Sequence, residues 1–413
     1  MKIIHTSDWH LGQYFMGKSR QPEHQKFLTW LIETAIDQKV DAIIVAGDIF
    51  DTGSPPSYAR ELYNQFIVNL QPTGIHLIIL GGNHDSVATL GESKELLTYL
   101  NTYVIPGAMT NIDDQVITLK KFEKEPIAII CAIPFLRSRD IMHSNAEESG
   151  KEKQQNMQQA ISDHYLRIYE KARNRRDEIG KKLPIIATGH LTTVGAKMSE
   201  SVREIYIGTL DAFPSSAFPP ADYIALGHIH RAQKVGGSEH VRYCGSPIPL
   251  SFDELKNDKT ILIAEFENGD LTQVTPHVIP RFQPMHLIKG DLIEIESEIE
   301  NLATQYDMSL PAWLDIEVST HDFLNDLQQR IQSIVENLPL EVLLLRKRRK
   351  KHNEGIERIS KETLHELTPK EVFERCLAQE DWSSEEQQRK LIRVKESFEE
   401  ILTDIIVNTS EVE

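Results

Sequence analysis

Short apolar runs separated by polar turns constrain the fold of this 413-residue chain more than any other feature. The runs are Lys2–Thr6, Ala42–Ala46, His76–Leu80, Ile127–Ile133, Ile185–Thr188 and Tyr223–Leu226. Runs that are apolar on both faces suit strands of a sheet with helices on each side, because a solvated strand face would alternate with polar residues. Between the first two runs, apolar residues recur at helical spacing, which indicates strand–helix–strand. The sequence therefore predicts an α/β fold with a mixed sheet.

A hairpin marks the end of this first domain. Thr260–Glu267 and Leu271–Ile279 flank Asn268-Gly269, a dipeptide typical of the tight turn between two antiparallel strands. We therefore place the first domain at residues 1–280.

A further helix is expected directly after Pro55-Pro56, because proline is well tolerated in the first turn of a helix. Leu62, Phe66 and Leu70 would then lie on one face of this helix. That face is either part of the core or a contact with another subunit.

The pattern changes from Met285 onward. The expected strands are Met285–Lys289, Trp313–Val318 and Glu341–Arg346, and the expected helices are Leu292–Leu302 and Phe323–Leu338. This β-α-β-α-β unit contains no candidate cluster of metal ligands. We therefore predict a second domain at residues 281–350 that caps the first.

Residues 351–413 are predicted to be a linker and a helical tail. The polar stretch Lys351–Glu366 is the linker, and Thr368-Pro369-Lys370-Glu371 has the pattern of a helix-capping box. A second tail helix carries the apolar residues Leu391, Val394, Phe398, Ile401, Leu402 and Ile405. Two short amphipathic helices dock either onto their own chain or onto a partner, and we favour a partner.

The formal net charge of −17 argues against a protein that binds nucleic acid unaided, because such binding draws on clustered Lys and Arg. Bound divalent cations or a partner with a basic groove would remove this objection. One basic run exists, residues 346–351, and it is either a solvated strand end and linker or a phosphate contact.

Cysteine usage and hydropathy bear on the compartment. The three cysteines, Cys131, Cys244 and Cys376, are far apart and lack metal-ligand spacing, so we expect thiols in a reducing compartment, the cytoplasm. No run reaches the ~18 apolar residues of a membrane span, and no signal-peptide pattern is present. We therefore expect no membrane association.

Metal-ligating residue types follow the apolar runs. Asp8 and His10 follow the first run, Asp48 the second, and Asn83 and His84 the third, while His190, His228 and His230 follow two later ones. The carboxyl ends of strands form the edge at which open α/β sheets bind their ligands. We therefore expect these side chains to meet at one edge.

The donor types predict the kind of site. Carboxylate oxygen, imidazole nitrogen and amide oxygen together suit Mn²⁺, Fe²⁺ or Zn²⁺, and the absence of thiolates argues against a structural zinc. Seven ligands (the residues named above other than His84) are too many for one ordinary site but suffice for two metals about 3.5–4 Å apart that share a carboxylate. The sequence therefore predicts a two-metal site.

These residues resemble the motif set of the calcineurin-like metallophosphoesterases. The motifs are Asp8-x-His10, Gly47-Asp48-x-x-Asp51, Gly82-Asn83-His84-Asp85, Gly189-His190 and Gly227-His228-x-His230. More narrowly, His5–Gly12, Ala46–Pro55 and Gly245-Ser246-Pro247 are similar to bacterial nuclease subunits of the double-strand-break repair family. The resemblance extends through the cap and the tail. It implies a mixed-sheet sandwich with a β-α-β-α-β cap and a C-terminal helical tail.

The resemblance also implies a role for each residue. Asp8, His10 and His230 would hold one metal, with Mn²⁺ as the favoured ion. Asn83, His190 and His228 would hold the other, and Asp48 would bridge the two. His84 would stabilise the scissile phosphate and protonate the leaving oxygen, while a water between the metals attacks. Asp51 stands where archaeal relatives carry a second catalytic-site His, so its role stays open.

A partner and an activity follow from the same resemblance. The implied partner is an ATPase with a long coiled coil, bound through the C-terminal helices of a homodimer within a heterotetramer. The implied activity is ATP-dependent double-strand exonuclease and single-strand endonuclease action on DNA ends and hairpins, in repair, replication and recombination. The alternatives are a phosphatase of small-molecule or protein phosphomonoesters on the same scaffold, and a non-catalytic scaffold that tethers DNA.

Overall fold

The structure is a computed structural model. It describes residues 1–121, 125–142, 150–199, 201–202, 212–319 and 327–347, together with Leu377, Leu391 and Val394. Residues 1–348 form one compact unit, and residues 349–413 are a separate unit. The predicted linker and helical tail lie outside the described residues, apart from these three isolated positions, which are helical.

The strand bounds agree closely with the apolar runs. The strands are β1 (Lys2–Thr6), β2 (Tyr14–Phe15), β3 (Lys18–Ser19), β4 (Ala42–Ala46), β5 (His76–Leu80), β6 (Thr102–Ile105), β7 (Val116–Lys121), β8 (Glu125–Cys131), β9 (Ile185–His190), β10 (Tyr223–Gly227), β11 (Gln233–Lys234), β12 (Val241–Tyr243), β13 (Thr260–Glu267), β14 (Asp270–Val278), β15 (Met285–Gly290), β16 (Ala312–Val318) and β17 (Leu340–Lys347). All six predicted runs and the predicted hairpin are therefore confirmed as strands.

The helices connect these strands. They are α1 (Gln21–Asp37), α2 (Ser57–Leu70), α3 (Val87–Gly91), α4 (Lys94–Thr98), α5 (Ser138–Ile141), α6 (Gly150–Ile179), α7 (Leu292–Ala303) and α8 (Leu327–Val335), with 3₁₀ turns at Gln71–Thr73, Ile112–Gln115, Ser215–Ala217 and Phe252–Lys256. Among the described residues, no helix is long and apolar enough to cross a membrane.

Two six-stranded mixed sheets form the main body. The first has the order β14-β13-β1-β4-β5-β6, in which β1, β4, β5 and β6 run parallel. The second has the order β11-β12-β10-β9-β8-β7, in which β12, β10, β9 and β8 run parallel. The parallel strands in the middle of each sheet carry the candidate ligands at their carboxyl ends.

The two sheets pack face to face. Ile44 and Ile78 of the first sheet share a buried core cluster with Ile130 and Ile186 of the second. A helix layer covers each outer face, with α1 and α2 on the first sheet and α6 on the second. The predicted mixed-sheet sandwich is confirmed. The expectation of helices on both faces of one sheet is wrong, because a second sheet covers the inner face.

The apolar face of α2 belongs to the core. Leu62, Phe66 and Leu70 are buried in the cluster that joins α1, α2 and the first sheet. Of the two expectations for this face, core and subunit contact, the structure shows the core.

Residues 285–319 and 327–347 contain the strands and helices of the predicted β-α-β-α-β unit, a parallel sheet β15-β16-β17 covered by α7 and α8. It packs on the main body through Trp313, whose ring stacks on Phe15 with centroids 5.8 Å apart. Arg346, the first residue of the basic run, pairs with the buried carboxylate of Asp315. This part of the run therefore supports the cap sheet.

Candidate metal centre

The predicted ligands converge at the carboxyl ends of both sheets. Three overlapping groups of side chains each have their ligand atoms within 4.8 Å of one another. These groups are Asp8-His10-His230, His10-Asp48-His84 and Asp48-His190-His228. The remaining ligand, Asn83, places its amide oxygen 2.8 Å from Nε2 of His190. The structure thus brings all eight predicted site residues together.

Left-handed backbone aims several of these side chains inward. Asp8, His10, Asp48 and His228 have φ values of 55°, 47°, 51° and 93°. Such values are uncommon for residues with a Cβ and are costly enough to be concentrated at functional sites. The turns after β1, β4 and β10 therefore hold conformations that serve the cluster rather than local stability.

The first half of the site contains Asp8, His10 and His230. The Asp8 carboxylate accepts hydrogen bonds from its neighbour Ser7 (2.5 Å) and from the backbone N–H of His228 (2.9 Å). The rings of His10 and His230 lie edge to face with centroids 5.2 Å apart. His10 Nδ1 lies 3.3 Å from the Asp51 carboxylate. Asp51, whose role the sequence left open, therefore contacts a proposed ligand.

The second half contains Asn83, His190 and His228. The His190 Nδ1–H donates to the backbone carbonyl of Ala46, 2.9 Å away in the other sheet. That bond fixes the ring and turns Nε2 of His190 into the site, where it lies 3.2 Å from Asp48 Oδ2 and would meet a metal ion. The rings of His190 and His228 have centroids 5.3 Å apart.

Asp48 lies between the two halves. Its Oδ2 is 3.2 Å from His190 Nε2 and 3.7 Å from His10 Nε2, and its Oδ1 accepts the backbone N–H of His84. Gly82 is required beside it, because a Cβ at residue 82 would overlap the Asp48 carboxylate and backbone. The position of Asp48 is the one from which a carboxylate reaches both halves.

Charge in the cluster is strongly coupled. Burial alone would raise the pKa of Asp48, but the neighbouring imidazoles, His190 foremost, lower it well below its usual value. Burial alone would lower the pKa of His190, but the Asp48 carboxylate raises it to about 9. The carboxylates thus create a field that attracts positive charge into the site.

The residues fit divalent metal ions. Nε2 of His10 and Nε2 of His228 are buried, and neither has a hydrogen-bond partner in the described part of the chain. Burial lowers the pKa of His228 well below its usual value, which keeps its ring neutral and able to donate an electron pair. Buried imidazole nitrogens without partners, next to carboxylates and an amide oxygen, form a donor set for Mn²⁺, Fe²⁺ or Zn²⁺.

His84 lies at the rim of this cluster. Its Nδ1–H donates to the backbone carbonyl of Asp51 at 2.7 Å, which fixes the orientation of the ring. Its ring meets that of His10 edge to face, with centroids 4.8 Å apart. The ring is partly exposed, which gives a substrate access to it.

Sequence reasoning missed the residues that support the cluster. Asp85 is buried and accepts the backbone N–H groups of Ile49, Phe50 and Gly82 at 2.8–3.1 Å, which ties the turn after β4 to the turn after β5. Its place in Gly82-Asn83-His84-Asp85 was the available signal. Ser201 and Glu254, which contact His230, carried no signal because they belong to none of the predicted motifs.

The fold and the site define a class of protein, the metal-dependent phosphoesterases. Residues 1–232 match the family model described as calcineurin-like phosphoesterase. Residues 281–381 match a second model, SbcD_C, described as Type 5 capsule protein repressor C-terminal domain. The first match covers the strands and turns that carry every predicted ligand.

Similarity over most of the chain identifies a narrower family than these models do. The chain is 55% identical to the SbcD subunit of nuclease SbcCD from Escherichia coli (strain K12), over 94% of this chain and 96% of that protein. It is 33% identical to the corresponding nuclease SbcCD subunit from Rhodobacter capsulatus, over 73% and 76% of the two chains. The chain belongs to the SbcD family of nuclease subunits, within the calcineurin-like phosphoesterases.

Proposed function

We propose that this chain is the two-metal nuclease subunit of a complex with an SbcC-type coiled-coil ATPase, and that it processes DNA ends and opens DNA hairpins. Its family membership makes it a metal-dependent nuclease that acts as one subunit of a complex. The observation that carries the proposal is the pair of ligand groups on either side of Asp48, with His84 beside them.

Each half of the site would hold one divalent ion, Mn²⁺ by preference. Asp8, His10 and His230 would hold one, Asn83, His190 and His228 the other, and Asp48 both. Bound there, the ions would supply positive charge to the phosphate oxygens and lower the pKa of a water to near neutrality.

His84 acts as the proton donor to the leaving oxygen. The bond from Nδ1 to the Asp51 carbonyl orients the ring, so the proton given to the leaving oxygen would come from Nε2. An ordinary imidazole pKa near ~6.5 allows a ring to exchange a proton at neutral pH. The same ring lies close enough to His10 and Asp48 to be a ligand, so the metal content of a His84 variant distinguishes the two roles.

The proposal is tested with end-labelled hairpin DNA, end-labelled duplex DNA and a chromogenic phosphomonoester, each incubated with the full chain and Mn²⁺, with and without the ATPase partner and ATP. We expect hairpin opening and degradation from duplex ends that increase with partner and ATP. Turnover of the phosphomonoester without cleavage of DNA would identify a phosphatase. Protein that binds DNA through its partner but cleaves neither substrate would identify a tethering scaffold.

The tail is proposed to bind the partner. Its sequence contains a helix-capping box and apolar residues at helical spacing, as the contact with a coiled coil requires. Truncation before Thr368 should leave the remaining chain folded and able to bind metal, while co-purification with the ATPase is lost. Complex formation at the full level by the truncated chain would refute this, and loss of folding would show that the helices dock on their own chain.

The assembly is proposed to contain two copies of this chain and to reside in the cytoplasm. Cys131 and Cys244 are buried free thiols, as expected for a reducing compartment. The net charge of −17 makes bound cations and a basic partner the sources of attraction for DNA. Sedimentation of the purified complex measures its stoichiometry, and we expect two copies of each subunit.

A further inference from the structure

The Nδ1 atom of His230 contacts a side chain, whereas the Nδ1 atom of His190 contacts a backbone carbonyl. Ser201 Oγ lies 2.6 Å from Nδ1 of His230, and the Ser201 hydroxyl donates to the Glu254 carboxylate. A hydroxyl has one hydrogen, so Ser201 accepts from His230. The ring therefore carries its proton on Nδ1 and presents the electron pair of Nε2.

Glu254 sets the direction of the hydrogen-bond relay that runs from His230 through Ser201 to Glu254. Its side chain is 3% exposed and accepts from Ser199 Oγ (2.9 Å), the Leu250 N–H (3.0 Å) and Lys259 Nζ (2.5 Å). A backbone N–H and an ammonium can only donate hydrogen bonds, so Glu254 is the acceptor of both, and the Ser201 hydroxyl donates to the same carboxylate.

Lys259 holds the backbone of the same residue. Its Nζ donates to the His230 carbonyl (3.0 Å) and to Ser246 Oγ (2.8 Å). Ser246 belongs to Gly245-Ser246-Pro247, a motif that supplies none of the proposed ligands. The ion pair between Glu254 and Lys259 thus supports both the ring and the main chain of His230.

We infer that Ser201 and Glu254 are positioning residues that set the tautomer and orientation of His230 for its metal ion. A metal-bound histidine commonly donates its second ring N–H to a carboxylate, and here a serine hydroxyl stands between the two groups. The inference rests on the proposed assignment of His230 as a ligand. It deepens that assignment, because it makes the metal affinity of one half of the site depend on two residues that are not themselves proposed ligands.

The test is a calorimetric titration of the metal-free full chain with Mn²⁺. We expect Ser201→Ala to weaken one of the two Mn²⁺ sites about 10–100-fold, the usual cost of losing a partner of a metal ligand, and to leave the other site unchanged. Ser201→Thr keeps the hydroxyl and should restore the affinity. Glu254→Gln should also weaken that site, because an amide can donate to Ser201 and reverse the relay.

Ser199→Ala is the matched control. Ser199 Oγ donates to Glu254 and lies 3.1 Å from Ser201 Oγ, so its loss disturbs the same surroundings but leaves in place the hydroxyl that accepts from His230. We expect two Mn²⁺ sites of wild-type affinity in this variant. Thermal unfolding in EDTA checks that each variant is folded before it is titrated.

His230→Ala distinguishes the ligand assignment from the positioning inference. If His230→Ala retains both Mn²⁺ sites, the ligand assignment fails. If His230→Ala loses one site while Ser201→Ala keeps both at full affinity, the positioning inference fails and the assignment stands. Equal weakening by Ser201→Ala and Ser199→Ala, or no recovery in Ser201→Thr, would also overturn it. None of these readouts requires DNA cleavage.

Discussion

The two halves of the metal centre are built by different means. In the half that contains His190, the ring is held by the Ala46 carbonyl, which belongs to a central strand of the opposite sheet. In the half that contains His230, the ring is held by Ser201 and Glu254, which lie in turns outside the sheets. Backbone support persists when side chains change, whereas side-chain support is open to substitution. The half that contains His190 is therefore expected to be rigid, and the half that contains His230 to be adjustable.

The two halves also differ in the ways in which they can be damaged. The half supported by the backbone fails when a side chain is added, because Gly47 and Gly82 lie against His190 and Asp48. The half supported by side chains fails when a side chain is removed. Substitutions of both kinds, made in one protein, test whether this distinction holds.

The largest effect on metal binding is expected at Asp48, whose loss should weaken both halves of the site alike. Asp48→Ala removes the carboxylate that lies between both halves, so both Mn²⁺ affinities should fall by more than the ~100-fold upper cost of losing a partner of a ligand. Cleavage of DNA should be lost with them. Elemental analysis after gel filtration measures the ions, and two tightly retained ions would show that Asp48 is no bridge.

His84→Gln should separate chemistry from metal binding in both halves. Loss of a positioned acid typically costs ~10²–10⁴-fold in rate, so most cleavage should disappear while two ions and DNA binding remain. His10→Gln should instead reduce both cleavage and metal content. Metal and nuclease assays on the same preparations provide the comparison. A metal-depleted His84 variant would make His84 a ligand, and a fully active one would deny it a catalytic role.

Gly47→Ala tests the half supported by the backbone. Gly47 has φ +94°, and an added Cβ would overlap the His190 ring, so the affinity of that half should fall about 10–100-fold. Gly74→Ala is the control, because Gly74 also has positive φ (+72°) but has open space around it. Both variants should lose about 1–2 kcal/mol of the free energy of unfolding from the strained backbone. Equal Mn²⁺ titrations of the two variants would contradict the role of Gly47.

The smallest effect on metal binding is expected at His5, which links β1 to β10 and acts on stability instead. Its Nε2–H donates to the Leu226 carbonyl (3.2 Å) and its Nδ1 accepts from the Tyr223 hydroxyl (2.9 Å). Burial lowers the pKa of His5 to about 3, from an ordinary value of 6.5. Below pH 6.5 the unfolded chain therefore binds a proton that the folded chain does not. The free energy of unfolding falls as the pH is lowered from 6.5 to about 3.

His5→Gln measures this contribution, because glutamine keeps one donor and one acceptor but does not titrate. Between pH 6.5 and 4.5 the free energy of unfolding should fall less steeply in the variant, by up to about 1.4 kcal/mol per pH unit. Denaturant titrations of the metal-free chain at several pH values provide the slopes. Identical slopes for wild type and variant would show that folding leaves the pKa of His5 unchanged.

Much of the fold was predictable because it depends on local pattern. Alternating apolar runs and turns indicated Lys2–Thr6, Ala42–Ala46 and His76–Leu80 with the bounds that the structure has. The Asn268-Gly269 hairpin and the three cap strands followed from turn chemistry and period in the same way. Helix ends were less predictable. The helix expected at Phe323–Leu338 is α8 at Leu327–Val335, with residues 320–326 outside the described part of the chain.

The sequence by itself determined which residues follow the strand ends, and hence the set of side chains that meet at the metal centre. Each of those residues is adjacent to the strand that positions it, so local pattern was sufficient. Tertiary structure alone decided that a second sheet covers the first, and that Ser201, Glu254 and Lys259 support His230. Those contacts join residues 29 and 53 positions apart in the chain, and hydrogen bonds over such separations leave no periodic signal in the sequence.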